Sequence, residues 1–119
     1  MENNLEQLVL QHLNEIWNQR DEALRAIAMQ RVYAKDIELF EIGEKYTGYA
    51  AVNHKISTTL NGLPQVFSIA QLNPVVINNN VGKLDWGVSP QGAAPVATGT
   101  DILVFEGGKI KSLYVFLNN

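Results

Sequence analysis

The closing quarter of the chain constrains its fold more than any other part. Residues 97–105 and 110–117 are two runs of strand-forming residues joined across Gly107-Gly108, and paired glycines tolerate the positive φ angles of a tight hairpin turn. The second run is apolar on both faces, with Leu113, Val115 and Leu117 alternating with Tyr114 and Phe116. One set is expected to face a core. The other would lie exposed on a monomer, so a homodimer packed through the sheet is the expected remedy. Inside the first run stands one carboxylate, Asp101. A buried charge is costly without a partner, so Asp101 is expected to be paired, neutral, or placed in a pocket for its chemistry.

The upstream pattern is helical. Leu5, Leu8, Val9, His12, Leu13, Ile16 and Trp17 recur at spacings of three and four, within a helical stretch over residues 3–34. Asn18-Gln19-Arg20-Asp21 breaks it, and Asp21 is suited to cap a second, antiparallel helix carrying Leu24, Ile27, Ala28, Arg31 and Val32. Residues 37–41 alternate as a first strand and 43–48 read as a loop. A third helix is predicted over 49–60, with Ala50, Val52, Ile56 and Thr59 or Leu60 inward, ended by Asn61-Gly62-Leu63-Pro64. Two more strands follow at 65–78 and 81–88, joined by Asn78-Asn79-Asn80, with Pro74 marking a bulge or bend in the first. Helices first and long antiparallel strands after them is an α+β order. A sheet of about four long strands twists and curls. The predicted fold is therefore a cone-shaped α+β barrel, three N-terminal helices packed on a curved, mainly antiparallel sheet, with a cavity between.

Composition narrows the function classes. With 119 residues, 46% of them hydrophobic, the chain suffices for one domain over 1–119 with a core of its own. A net charge of −3 without a basic stripe argues against nucleic acid as a partner. The absence of Cys removes thiol catalysis and thiolate metal sites. No apolar run approaches the roughly 20 residues that cross a bilayer, and the first residues lack a signal-peptide pattern, so a cytoplasmic protein with no membrane partner is the expectation. Gly107-Gly108 joins strand to strand and offers no helix N-terminus to a phosphate. Two His residues without an acidic ligand pattern argue against a metal site. No cofactor is expected.

In this order the pieces resemble the nuclear transport factor 2-like superfamily, and within it the SnoaL-like polyketide cyclases and the ketosteroid isomerases. The residues that carry the resemblance are Trp17-Asn18-Gln19-Arg20-Asp21, Tyr33-Ala34-Lys35-Asp36, Tyr46-Thr47-Gly48-Tyr49-Ala50-Ala51-Val52, Asp85-Trp86-Gly87, Gly99-Thr100-Asp101, and Gly107-Gly108-Lys109-Ile110 leading into Leu113-Tyr114-Val115-Phe116. They span essentially the whole chain. The superfamily hosts isomerases, dehydratases, cyclases, hydrolases and binding modules, so the resemblance implies the fold before it implies an activity.

For individual residues the resemblance implies more. Asp101 matches the position of an aspartic acid that donates a hydrogen bond to a developing oxyanion in ketosteroid isomerase, and that is thought to serve as acid/base in the cyclases. The plainer alternative is a carboxylate satisfied by backbone amides or by a Lys or Arg. Glu41 falls where the isomerases keep a general base, although this chain has Glu41-Ile42 in place of Asp-Pro and a shorter following loop. Alternatively it is a solvated loop-edge residue. Leu13 stands where the isomerases place an oxyanion-hole Tyr, and losing such a donor typically costs ~100- to 1,000-fold in rate, which disfavours steroid isomerisation. His54, next to the apolar stripe of the third helix, is a candidate acid/base or a rim residue. His12 reads as a packing residue.

Trp17, Tyr33, Phe40, Tyr46, Phe67 and Trp86 are the candidate aromatic lining of the cavity, suited to a flat apolar or aromatic ligand, with core packing as the alternative. Three functions follow. One is a cofactor-free isomerase, cyclase or lyase using Asp101 with Glu41 or His54 on a small hydrophobic carbonyl compound. The second is a non-catalytic binding module. The third is a dimerisation module whose cavity is filled by Phe40, Phe67 and Trp86.

Overall fold

The computed structural model describes residues 2–118, with side chains from Asn4 onward. The N-terminal apolar stripe forms α1 (Glu2–Gln11), which runs directly into a wider π-helical turn, His12–Trp17. Such a turn holds an extra residue and rotates the side chains beyond it; here it buries His12, Leu13, Ile16 and Trp17 together. Asp21 caps α2 (Glu22–Val32), accepting from the amides of Ala23 and Leu24, as a short acidic side chain at that place should.

The inward face of α2 is rotated from the one that apolar spacing suggests. Arg25, Ala28, Met29 and Val32 are buried, while Leu24 and Ile27 are 54% and 55% exposed. Arg25 is tolerated inside because its donors find acceptors. Its Nε donates to Asn53 Oδ1 at 2.5 Å, and its terminal nitrogens donate to the carbonyls of Gln19 and Asn53 and to the Ser57 hydroxyl. Asn53 and Ser57 belong to α3 (Tyr49–Asn61), so Arg25 ties the two helices together.

Strand β1 (Tyr33–Glu41) starts earlier than the alternation suggests, immediately after α2. Part of the segment read as a loop is strand β2 (Glu44–Thr47), paired antiparallel to β1. Residues 65–78 form two strands instead of one, β3 (Phe67–Gln71) and β4 (Val76–Asn78), both paired with β5 (Val81–Pro90). Gln71 lies opposite Trp86 and Val76 opposite Lys83, so residues 72–75 face only Leu84 and Asp85 and must loop out. Pro74, which has no amide hydrogen to give a ladder, sits in that bulge. Strands β6 (Ala97–Glu106) and β7 (Lys109–Asn118) form the expected hairpin, with φ of 61° at Gly107 and 78° at Gly108.

The sheet order is β2-β1-β7-β6-β5-β3, with β4 also on β5, and every pairing is antiparallel except β1 with β7. The sheet is curved and its two edges do not pair, so the predicted barrel is an open one that the helices complete. Ile16, Met29, Ile37, Leu39, Val52, Ile56, Leu84, Leu103 and Leu113 form the fully buried centre of a single core. Along β7 the expected alternation holds as far as Phe116, whereas Leu117, at the rim of the sheet, is 63% exposed. Leu113 is buried, while Tyr114 and Phe116 lie on the opposite face, 37% and 48% exposed. No helix among the described residues is long and apolar enough to cross a membrane.

Candidate functional site

The wide end between sheet and helices remains open as a cavity of about 520 Å³, a volume suited to a small-molecule ligand. Ile69, Val88, Val115 and Leu117 line it from the sheet, Val96 from just before β6 and Leu63 from just after α3, and Trp17 and Trp86 line it from helix and sheet. Asp101 lines it too, only 6% exposed. It projects from the concave face of β6 between Leu84 of β5 and Val115 of β7, its direct neighbours across the two ladders.

Two side chains hold the Asp101 carboxyl group. His12 Nε2 lies 2.9 Å from Oδ2, and Trp86 Nε1 donates to Oδ1 at 2.9 Å. Behind His12, its Nδ1 lies 2.6 Å from the Tyr33 hydroxyl, which also accepts from Trp17 Nε1 at 3.2 Å. His12 and Tyr33 have no exposure at all. Burial pushes the Tyr33 phenol well above its ordinary range; the Trp17 hydrogen bond opposes this and the nearby Asp101 charge adds to it. Among the described residues no buried side-chain polar atom lacks a partner. Trp86 can reach Asp101 because its cross-strand neighbour is Gly99: a Cβ there would overlap the indole ring.

A second polar group borders the cavity where β1 ends. Glu41 and Glu44 line it, and Lys55 of α3 reaches both, at 3.2 Å and 3.9 Å. Burial alone would lower Lys55, but the hydrogen bond and charge of Glu41, with Tyr46 and Glu44, outweigh it and hold the ammonium above its ordinary value. The cavity therefore has apolar walls, a carboxylate anchored from behind, and an ammonium among carboxylates at its border.

No protein-family model matches the sequence, and no curated protein matches it either. Solved structures do. A candidate isomerase of the SnoaL-like family from Agrobacterium tumefaciens superposes over 100% of both chains with a TM-score of 0.87 at 18% identity. A candidate ketosteroid isomerase from Kribbella flavida is similar over 98% of this chain and 79% of its own, with a TM-score of 0.74 and 13% identity. A candidate polyketide cyclase from Sinorhizobium meliloti is similar over 92% of this chain and 93% of its own, at 0.72 and 15%. The fold is nuclear transport factor 2-like. Identities this low speak for the shared fold alone, and a nuclear transport factor 2-like fold serves many activities.

Within that fold the predicted site residues divide. Asp101, Glu41, Trp17 and Trp86 come together around the cavity. Tyr33 does not line it; it is sealed behind Trp17 and His12. Phe40 is on the outer face because side chains alternate along β1 (Leu39 inward, Phe40 outward), and it stacks on Tyr114 with centroids 4.5 Å apart. Tyr46 hydrogen-bonds Glu44 and receives the Lys55 ammonium 5.7 Å from its ring centre, outside the cavity lining. Phe67 borders a separate hollow of about 380 Å³, next to Trp17 and Arg20. The cavity thus stays open, unfilled by Phe40 or Phe67.

His54 is exposed on α3, away from the cavity lining. The stripe of α3 points Val52, Ile56 and Leu60 inward and leaves position 54 on the solvent side. Sequence reasoning missed His12 and Lys55. His12 sits at a core-facing helical position like any packing residue, and nothing in the order of residues joins it to Asp101, 89 positions away. Leu13, where the resemblance places an oxyanion-hole Tyr, is buried in the core and does not line the cavity; its neighbour His12, the first residue of the π-helical turn, reaches the carboxylate. Asp85, part of the Asp85-Trp86-Gly87 segment that carries the resemblance, lies outside the cavity lining, bonded to Asn73 at 2.9 Å and Thr100 at 2.8 Å.

Proposed function

We propose that this chain is a small-molecule pocket protein whose cavity performs cofactor-free acid/base chemistry, of isomerase, cyclase or lyase type, on a small hydrophobic carbonyl compound. One observation carries the reading: a nearly buried carboxylate, Asp101, opens into an apolar cavity and is held by two side chains instead of the backbone. In this reading Asp101 moves a proton at the carbon next to the carbonyl. The Lys55 ammonium supplies positive charge for the oxygen that becomes negative. Glu41 holds Lys55 and serves as a second proton carrier. The names of the similar solved structures point the same way.

The test is hydrogen–deuterium exchange at the α-carbon of small cyclic ketones in D2O, followed by proton NMR. The protein should accelerate exchange, and Asp101→Asn should reduce the rate by about 100-fold or more, the usual range for a lost general base. Ligands that quench Trp17 and Trp86 fluorescence without exchanging would favour the alternative, a non-catalytic binding module. That alternative has its own support, since every buried polar side-chain atom among the described residues is already satisfied without a ligand. The outer sheet face carrying Phe40, Tyr114 and Phe116 is proposed to pair with a second copy of the chain.

A further inference from the structure

The hydrogen bonds behind Asp101 can be followed donor by donor, and only one direction works. Trp17 Nε1 can only donate, so the Tyr33 oxygen is the acceptor in that contact. The Tyr33 phenol keeps its proton, because burial opposes ionisation. Among the described residues that proton has one acceptor, the Nδ1 lone pair of His12 at 2.6 Å. A neutral imidazole with its lone pair on Nδ1 carries its hydrogen on Nε2, and Nε2 faces Asp101 Oδ2 at 2.9 Å. Trp86 fills the other oxygen with a second N–H.

The opposite arrangement puts hydrogen on Nδ1 and a carboxyl proton between Asp101 and Nε2. It strands the Tyr33 hydrogen in the core without an acceptor, at a cost of about 1–3 kcal/mol. A doubly protonated imidazole strands it in the same way.

We propose that Tyr33 and His12 form a one-way hydrogen-bond relay that holds Asp101 as an acceptor on both oxygens, so that in the cavity Asp101 receives a proton from the ligand and does not donate one to its carbonyl oxygen. Each carboxylate oxygen retains a second lone pair for this purpose. The cavity then selects small apolar molecules that present a donor to Asp101: an O–H, an N–H, or a C–H made acidic by a neighbouring carbonyl. In the last case the proton passes from carbon to Asp101 and the C–H electron pair stays on the ligand as an enolate. The negative charge moves with it, and no other reagent is needed. His12 and Tyr33 touch no ligand and are positioning residues. This proton step rests on the function proposed above, whereas the relay is a property of the ligand-free protein, so the two can fail separately.

The deciding experiment is nitrogen-15 NMR of histidine-labelled, ligand-free protein, with His54→Gln to leave only the His12 signals. The expected result is an unprotonated Nδ1 and a protonated Nε2 on His12. Tyr33→Phe should move His12 toward a mixture of tautomers, because nothing then demands the Nδ1 lone pair. His12→Gln can donate to Asp101 and accept from Tyr33, so it should retain more α-proton exchange than His12→Leu. A hydrogen on His12 Nδ1 in the native protein, or a tautomer that Tyr33→Phe leaves unmoved in a folded variant, would overturn the relay. The expected tautomer without any ligand exchange supports the relay and removes the proposed function alone.

Discussion

At Asp101 the identity of one oxygen matters. Both partners of the carboxylate, His12 Nε2 and Trp86 Nε1, act on it as donors in the proposed relay, so an amide at 101 meets one of them donor to donor. Asp101→Asn should therefore be less stable than the native chain by about 1–3 kcal/mol, the cost of a buried polar group left unpaired. Urea unfolding measures this, and an unchanged midpoint would contradict the assigned donor directions. Gly99 makes a related prediction for a different reason. Its missing side chain is the space that the Trp86 ring occupies. Gly99→Ala should displace the indole, cost about 1–3 kcal/mol through overpacking, and shift the tryptophan emission as the bond to Asp101 is lost.

Elements meet the cavity through connections that few residues secure. Asn18, just past the π-helical turn, donates to the carbonyls of Ile69 at 2.7 Å and Leu13 at 3.2 Å, and accepts from the Ile69 amide at 2.8 Å. It thus acts as a surrogate ladder partner for β3, and Ile69 lines the cavity. Asn18→Ala should speed hydrogen exchange at Ile69 and weaken binding of fluorescence-quenching ligands. Asp21, three residues on, caps α2 and is not part of the cavity lining. Asp21→Ala should cost about 1 kcal/mol, a few degrees of melting temperature, with ligand affinity unchanged. Equal loss of affinity in both variants would mean that the cavity responds to helix stability in general and not to the β3 anchor.

Across the whole molecule, Tyr33 links pH to stability. Burial first, then the Asp101 charge, raises its phenol in the folded state against the Trp17 hydrogen bond, while the unfolded chain titrates near the ordinary value of about 10. The folded chain holds that proton more tightly, so its contribution to stability is complete below pH ~10 and is lost as the pH rises further. Tyr33→Phe should flatten the alkaline fall in unfolding free energy, and an identical alkaline limb would show that Tyr33 is not the group responsible. The outer sheet face adds a prediction about assembly. If Phe40, Tyr114 and Phe116 pair two copies, sedimentation should report a dimer, and Phe116→Glu a monomer.

Much of the chain was legible in order because short-range chemistry decides it. The Gly107-Gly108 hairpin, the Asp21 cap, the bend at Pro74 and the inward pair Leu113 and Val115 each follow from a backbone preference or a period within a few residues. Helices before strands determined the α+β class, and a lone carboxylate in an apolar strand singled out Asp101. Other features depend on contacts between distant segments. Arg25 could be buried only because Asn53, Ser57 and the Gln19 carbonyl converge on it. Phe40 gained its stacking partner only because the register of β1 on β7 set it beside Tyr114. His12 became a partner of Asp101 because a π-helical turn and an open, curved sheet brought helix and strand within 2.9 Å. Periodicity reports which face of an element is apolar, and only packing decides which polar groups meet inside.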